Sequence, residues 1–133
     1  MNNIKLKKDK YSYSKHCYLI ITQNTEIGNI TLCKKDNILI ICYLELYPEY
    51  RHKSYGYQII EYLLSHYKIK CIIGETLLTS RGFWNKCIKK YNGQRKNISY
   101  SDNCTSSFII PKYEISQLDI YKLLFEANKR IYY

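Results

Sequence analysis

The sequence predicts a mixed α/β domain of the α+β type: a central, mostly antiparallel sheet with one β-α-β crossover, flanked by helices. Three observations carry this. Residues 17–46 set short apolar runs between turn residues, as antiparallel hairpins do. Residues 57–67 keep one face apolar at helical spacing and lead into another short apolar run, which is the order of a crossover. The chain has 133 residues, 46% of them hydrophobic, enough for one domain with its own core. Residues 1–133 are therefore read as a single domain.

Taken in order, residues 1–15 are polar and basic and read as an irregular lead-in. CYLIITQ (17–23) and EIGNITLC (26–33) read as two strands, with Asn24 and Thr25 at the turn between them. After KKDN, the run ILIICYLEL (38–46) is apolar on both faces and belongs in the middle of a sheet. Pro48 ends it, and RHKSYG (51–56) forms a basic loop. The helix that follows presents Tyr57, Ile59, Ile60, Leu63, Leu64 and Tyr67 on one face. IKCII (69–73) is a short buried strand. Thr79 or Ser80 caps a second helix through Phe83, Trp84, Cys87 and Ile88, and Asn92-Gly93 stops it. Residues 94–106 carry no clear pattern, SFII (107–110) is a last strand, and 116–130 form an amphipathic C-terminal helix.

Composition narrows the partners. Lysine and arginine total 21 against 11 acids, a formal charge of +10, which favours anionic partners without choosing among them. The sixteen tyrosines and the abundant Ile, Lys and Asn are the signature of an AT-rich genome, so much of this is background. No apolar stretch approaches the roughly 20 residues of a membrane span, and no cleavage pattern of a secretory signal follows the first apolar run. The six cysteines show no C-x-x-C and no zinc-finger histidine spacing. They read as reduced structural thiols of a cytoplasmic protein, with no metal site.

The chemistry lies in residues 44–60, LELYPEYRHKSYGYQII. A central strand ends, the chain turns at proline, and a basic loop runs straight into a helix. The first N–H groups of that helix lack intrahelical partners and carry the positive end of its dipole. The arrangement suits a phosphate or pyrophosphate. Gly56 allows close backbone approach, and Arg51, His52 and Lys53 add charge. The segment is neither a Walker loop nor a dinucleotide fingerprint, since G-K-S/T and G-x-G-x-x-G are both absent.

It resembles motif A of the GNAT family of N-acetyltransferases, R/Q-x-x-G-x-G/A after V-x-P-E-Y. Leu46-Tyr47-Pro48-Glu49-Tyr50 leads here into Arg51-His52-Lys53-Ser54-Tyr55-Gly56, with Ser54 where the first glycine is usual. A serine suits a right-handed backbone there and would be strained at positive φ. Phe83-Trp84-Asn85-Lys86-Cys87 resembles the family's motif B, and the likeness covers about residues 17–92.

The resemblance implies a GNAT-like domain with acetyl-CoA as co-substrate and no metal. A slot between strands 38–46 and 69–73 would take the pantetheine arm. The backbone of Leu44 to Leu46 would pair with its amides, and the Leu46 N–H would polarise the thioester carbonyl. Arg51, His52, Lys53, Ser54, Tyr55, Gly56 and Tyr57 would hold the pyrophosphate. A primary amine would attack directly once a base takes its proton. Glu45 and Glu75 are both candidates for that base; the position further back on the central strand that serves in some members is Ile40. The tyrosine that usually protonates the departing thiolate is Trp84 here, and the motif's closing glycine is Ile88. An indole donates a hydrogen bond but releases no proton at neutral pH. Tyr91 lies seven residues on, about 10 Å along the helix axis, too far to replace it. Trp84 is read instead as part of the acceptor wall.

The acceptor is a small amine or a protein lysine, and the sequence does not choose between them. Two alternatives of other classes remain. One is a catalytically weak CoA-binding module of the same fold, kept open by Ser54, Trp84 and Ile88. The other is a small basic domain that binds nucleic acid or protein. It is disfavoured because the lysines form no continuous stripe.

Overall fold

A computed structural model describes residues 3–12, 16–76, 81–96, 106–112 and 122. The chain groups into two compact units, Met1–Cys33 with Ile41–Lys68, and Lys34–Ile40 with Ile69–Tyr133.

The first unit is built on β1 (Ile4–Lys8), β2 (Cys17–Thr22), β3 (Thr25–Lys35) and the longer part of β4 (Ile38–Leu46), hydrogen-bonded in that order. Gln23 and Asn24, at φ 50° and 62°, make the two-residue turn between β2 and β3. Paired left-handed residues give the primed turn that matches strand twist. The β2–β3 ladder is antiparallel from Cys17↔Thr31 to Thr22↔Thr25, with a register shift between Ile20 and Ile21. Residues 4–8 are not an irregular lead-in. They pair antiparallel with β2 from Ile4↔Thr22 to Lys8↔Tyr18. Ile4 is buried while Lys5, Lys7 and Lys8 are exposed, the period-2 pattern of an edge strand guarded by lysine.

After β4 a single 3-10 turn (Pro48–Tyr50) leads to α1 (Tyr55–His66). Its buried residues Gly56, Ile59, Ile60 and Leu63 follow the expected helical stripe, and the helix starts two residues earlier than that stripe suggests. His66 in the last turn stacks on Tyr62 at 4.0 Å between centroids.

The second unit takes the opening residues of β4, then β5 (Cys71–Thr76), α2 (Arg81–Lys90), β6 (Gln94–Lys96) and β7 (Ser106–Pro111), the strands following in the order β4-β5-β7-β6. β5 is neighbour to β4, and the chain passes between them through α1, the expected crossover. β7 pairs antiparallel with β5 from Cys71↔Pro111 to Thr76↔Ser106, and with β6 from Gln94↔Ile109 to Lys96↔Ser107. The patternless stretch after residue 94 thus opens with a strand. Ile38, Leu39, Ile72, Ile73, Phe108, Ile109 and Ile110 form a buried apolar core. α2 closes with Asn92 at φ 54° and the Gly93 N–H bonded to the Ile88 carbonyl at 2.7 Å, a Schellman stop with asparagine in the left-handed position. The C-terminal helix expected over 116–130 lies outside the described residues, apart from residue 122, as do Thr79 and Ser80.

Candidate functional site

The end of β4 is shaped by one glycine of β3. A side-chain carbon at Gly28 would stand 2.0 Å from the Glu45 carbonyl oxygen, so that carbonyl is aimed at β3. No described peptide is cis. In a trans peptide the C=O and the following N–H point opposite ways, so the Leu46 N–H is directed away from β3. The next peptide turns back: the Tyr47 N–H bonds the Ile27 carbonyl at 2.9 Å. Arg51 closes the corner by donating Nε to the Leu46 carbonyl at 2.7 Å.

Side chains of the same strand end add a polar cluster. Tyr43 donates its hydroxyl to Glu45 Oε2 at 2.8 Å, and Tyr47 donates to Glu26 of β3. The carboxylate bond raises the Tyr43 pKa, with the nearby Arg51 charge opposing it. The Tyr47 hydroxyl is pushed up to about 12, chiefly by its bond to Glu26. Both phenols therefore hold their protons at neutral pH and act as donors that orient two carboxylates.

Beyond the corner the backbone alternates in handedness. His52 has φ 61° and Ser54 has φ 65° and ψ 2°, with α1 starting at Tyr55. A left-handed residue followed by a helical one turns successive N–H groups toward one concave side, an anion nest. Ser54 occupies the N-cap without a side-chain cap bond, and the first turn of α1 contains no acid. Residues 51–54 are exposed, Gly56 is buried, and the rings of Tyr50 and Tyr55 meet edge-on at 6.0 Å. The backbone conformation at Ser54 is the left-handed one for which serine is unsuited. Replacing Ser54 with glycine should therefore stabilise the protein by about 0.5–1 kcal/mol, relief of the left-handed strain being partly offset by unfolded-chain entropy. Urea unfolding measures this directly; an unchanged or lowered midpoint would show that the strain at Ser54 does not exceed the entropy that glycine adds to the unfolded chain.

Leu44, Glu45, Leu46, Arg51, His52, Lys53, Ser54, Tyr55, Gly56 and Tyr57 thus fall along one continuous stretch of the first unit. Glu75 belongs to β5 of the second unit, opposite Ser107. Trp84 is also in that unit, 5% exposed, its indole stacked on the fully buried Phe108 at 4.3 Å and tilted against Phe83 at 4.7 Å. Its ring is a core element there. Arg51 is committed through Nε to a main-chain carbonyl rather than standing as a bare loop cation. Sequence reasoning missed Tyr43, Tyr47 and Glu26. The alternation Tyr43-Glu45-Tyr47 was a usable signal for the first two, because residues two apart share a strand face.

Among the described residues no group of three or more His, Cys, Asp or Glu is placed to hold a metal, and no helix is long and apolar enough to cross a membrane.

No protein-family model matches the chain, and no curated protein matches its sequence. Solved structures do match. A GNAT-family acetyltransferase from Bacillus cereus superposes with a TM-score of 0.57 at 16% identity, over 77% of this chain and 72% of that one. The N-acetyltransferase YlbP of Bacillus subtilis, solved with coenzyme A, gives 0.53 at 21% identity, over 72% and 67%. The diaminobutyrate acetyltransferase EctA of Paenibacillus lautus, solved with L-2,4-diaminobutyric acid and coenzyme A, gives 0.56 at 9% identity, over 76% and 73%. At these identities the likeness establishes the fold, and that fold is the one of the GNAT acetyltransferases.

Proposed function

We propose that the chain is an acetyl-CoA-dependent N-acetyltransferase that moves an acetyl group to a primary amine by direct attack, working as a single GNAT-like domain over residues 1–133. The observation that carries this reading is the Glu45–Leu46 peptide, turned by Gly28 so that the Leu46 N–H faces away from β3, a few residues before an uncapped helix start. One stretch of chain then offers a donor for a thioester carbonyl and a nest for a pyrophosphate. β4 contributes residues to both compact units, which supports treating them as one domain.

In this reading the Leu44–Leu46 backbone holds the pantetheine arm as a neighbouring strand would. The Leu46 N–H stabilises the oxyanion formed as the amine attacks. The N–H groups from Ser54 to Tyr57, with His52 and Lys53 beside them, hold the pyrophosphate. Arg51 serves chiefly by fixing the Leu46 carbonyl, and so the corner between strand and loop. Glu45, oriented by Tyr43, is the first candidate to take the amine proton; Glu75 is the second. The acceptor class we favour is a small-molecule amine, as in the diaminobutyrate enzyme of the same fold. Free thiols at Cys17, Cys33, Cys42, Cys71 and Cys87 suit a reducing, cytoplasmic setting.

A second reading, a CoA-binding module with little turnover, draws on Trp84. The residue at the family's acid position is a buried, stacked indole. Calorimetric titration with acetyl-CoA, using desulfo-CoA and ATP as controls, tests what the two readings share: micromolar one-to-one binding of the CoA compounds. Release of CoA thiol with a panel of amines then separates them. With turnover in hand, Glu45→Gln should lower kcat by on the order of 100-fold or more and flatten the rise of rate with pH, because a base works only when deprotonated. Full activity in Glu45→Gln with loss in Glu75→Gln would move the role to Glu75. Full activity in both at all pH values would assign the proton to water or to another group.

A further inference from the structure

Cys33 lies near the end of β3 and Cys42 in the middle of β4, both within the first unit. Their sulfurs are 3.4 Å apart, Cys42 exposed and Cys33 half-buried. A disulfide bond is about 2.05 Å long, so closure needs each sulfur to move by less than about 1 Å. We propose that this pair is a site of reversible oxidative modification, at which a small disulfide of the glutathione class converts two thiols into a Cys33–Cys42 disulfide joining β3 to β4.

The exchange runs in two balanced steps. Cys33, as thiolate, attacks one sulfur of the oxidant, forms a mixed disulfide and expels one glutathione thiolate. Cys42 then gives its proton to solvent, attacks the Cys33 sulfur and expels the second glutathione. The protein loses two electrons and two protons, and the oxidant leaves as two thiols.

The order follows from the pair itself. The Cys42 S–H is the donor toward Cys33 Sγ, and although the residue as a whole is exposed, its thiol pKa is raised, by partial desolvation of the sulfur first and by Cys33 second. The accepting sulfur is the better first nucleophile. The other described cysteines provide contrast. Cys71 and Cys87 are buried, with thiols pushed up to about 12 by desolvation, and Cys17 faces the Asp9 carboxylate at 4.0 Å.

The site stands apart from the acetyltransferase reading, and its test needs no acetyl-CoA. The full chain, reduced and desalted, is titrated with oxidised glutathione, quenched with an alkylating agent, and followed by intact mass and peptide mapping. The expected result is loss of two alkylatable thiols, a cross-linked peptide containing Cys33 and Cys42, and full reversal by dithiothreitol. In Cys42→Ser the glutathione adduct on Cys33 should persist, because the resolving thiol is gone. Thermal melting of Cys33→Ser and Cys42→Ser checks that both variants remain folded. A stable glutathione adduct on the wild-type pair without cross-linking would overturn the proposal. So would a disulfide formed through other cysteines instead, or a pair that stays reduced where a model dithiol is oxidised.

Discussion

Gly28→Ala is expected to destabilise the protein by about 3 kcal/mol and to weaken acetyl-CoA binding by roughly tenfold or more through the shifted Leu46 donor. The added carbon would stand 2.0 Å from the Glu45 oxygen, 3.0 Å from the Glu45 carbonyl carbon and 3.0 Å from the Leu46 Cα. All three are backbone atoms, so no side chain can rotate out of the way. Either β3 and β4 part, which lengthens the 2.9 Å bond from Tyr47 to Ile27, or the Glu45–Leu46 peptide swings. Both responses displace the Leu46 N–H. With a total stability of about 5–15 kcal/mol typical of small proteins, the variant should still fold in the cold. Its urea midpoint and its acetyl-CoA affinity should fall together. Wild-type values for both would mean that the Glu45 carbonyl does not sit over Gly28.

That close approach shows where sequence reading reaches its limit. The motif from Leu44 to Tyr57 was legible because it is one local run whose strand, proline, basic loop and helix each have a local signature. What the run meets is not local. Nothing in the isolated sequence aligns Gly28 with Glu45, since that depends on β3–β4 pairing across an interval of 17 residues. The handedness of Ser54 was equally hidden, because a serine points to the right-handed region and only the surrounding chain forces the left-handed one. Sequence reasoning gave Trp84 to an acceptor wall because aromatic residues in that motif invite it. Its stacking on Phe108 becomes visible only once β7 is placed beside β5. The lysines of residues 5–8 masked an edge strand by raising its polarity, although Ile4 and Leu6 already showed the alternation.

Gly56→Glu is the counterpart at the helix start, expected to reduce acetyl-CoA affinity by on the order of 100-fold or more. Gly56 is the second residue of α1, buried, in a first turn without acids and just after left-handed Ser54. A carboxylate there competes for the same N–H groups and dipole that would receive the pyrophosphate, and repels it besides. The same dipole favours a glutamate in the first turn, which works against loss of the helix itself. Far-UV circular dichroism and melting of the variant separate lost binding from lost structure. Gly56→Ala separates the two causes of lost binding. If alanine binds like wild type while glutamate does not, charge is the reason; if both lose binding, the backbone must be approached more closely than a methyl group allows. If folded Gly56→Glu binds acetyl-CoA as tightly as the wild type, the pyrophosphate does not lie at α1, and the role assigned to residues 51–57 fails with it.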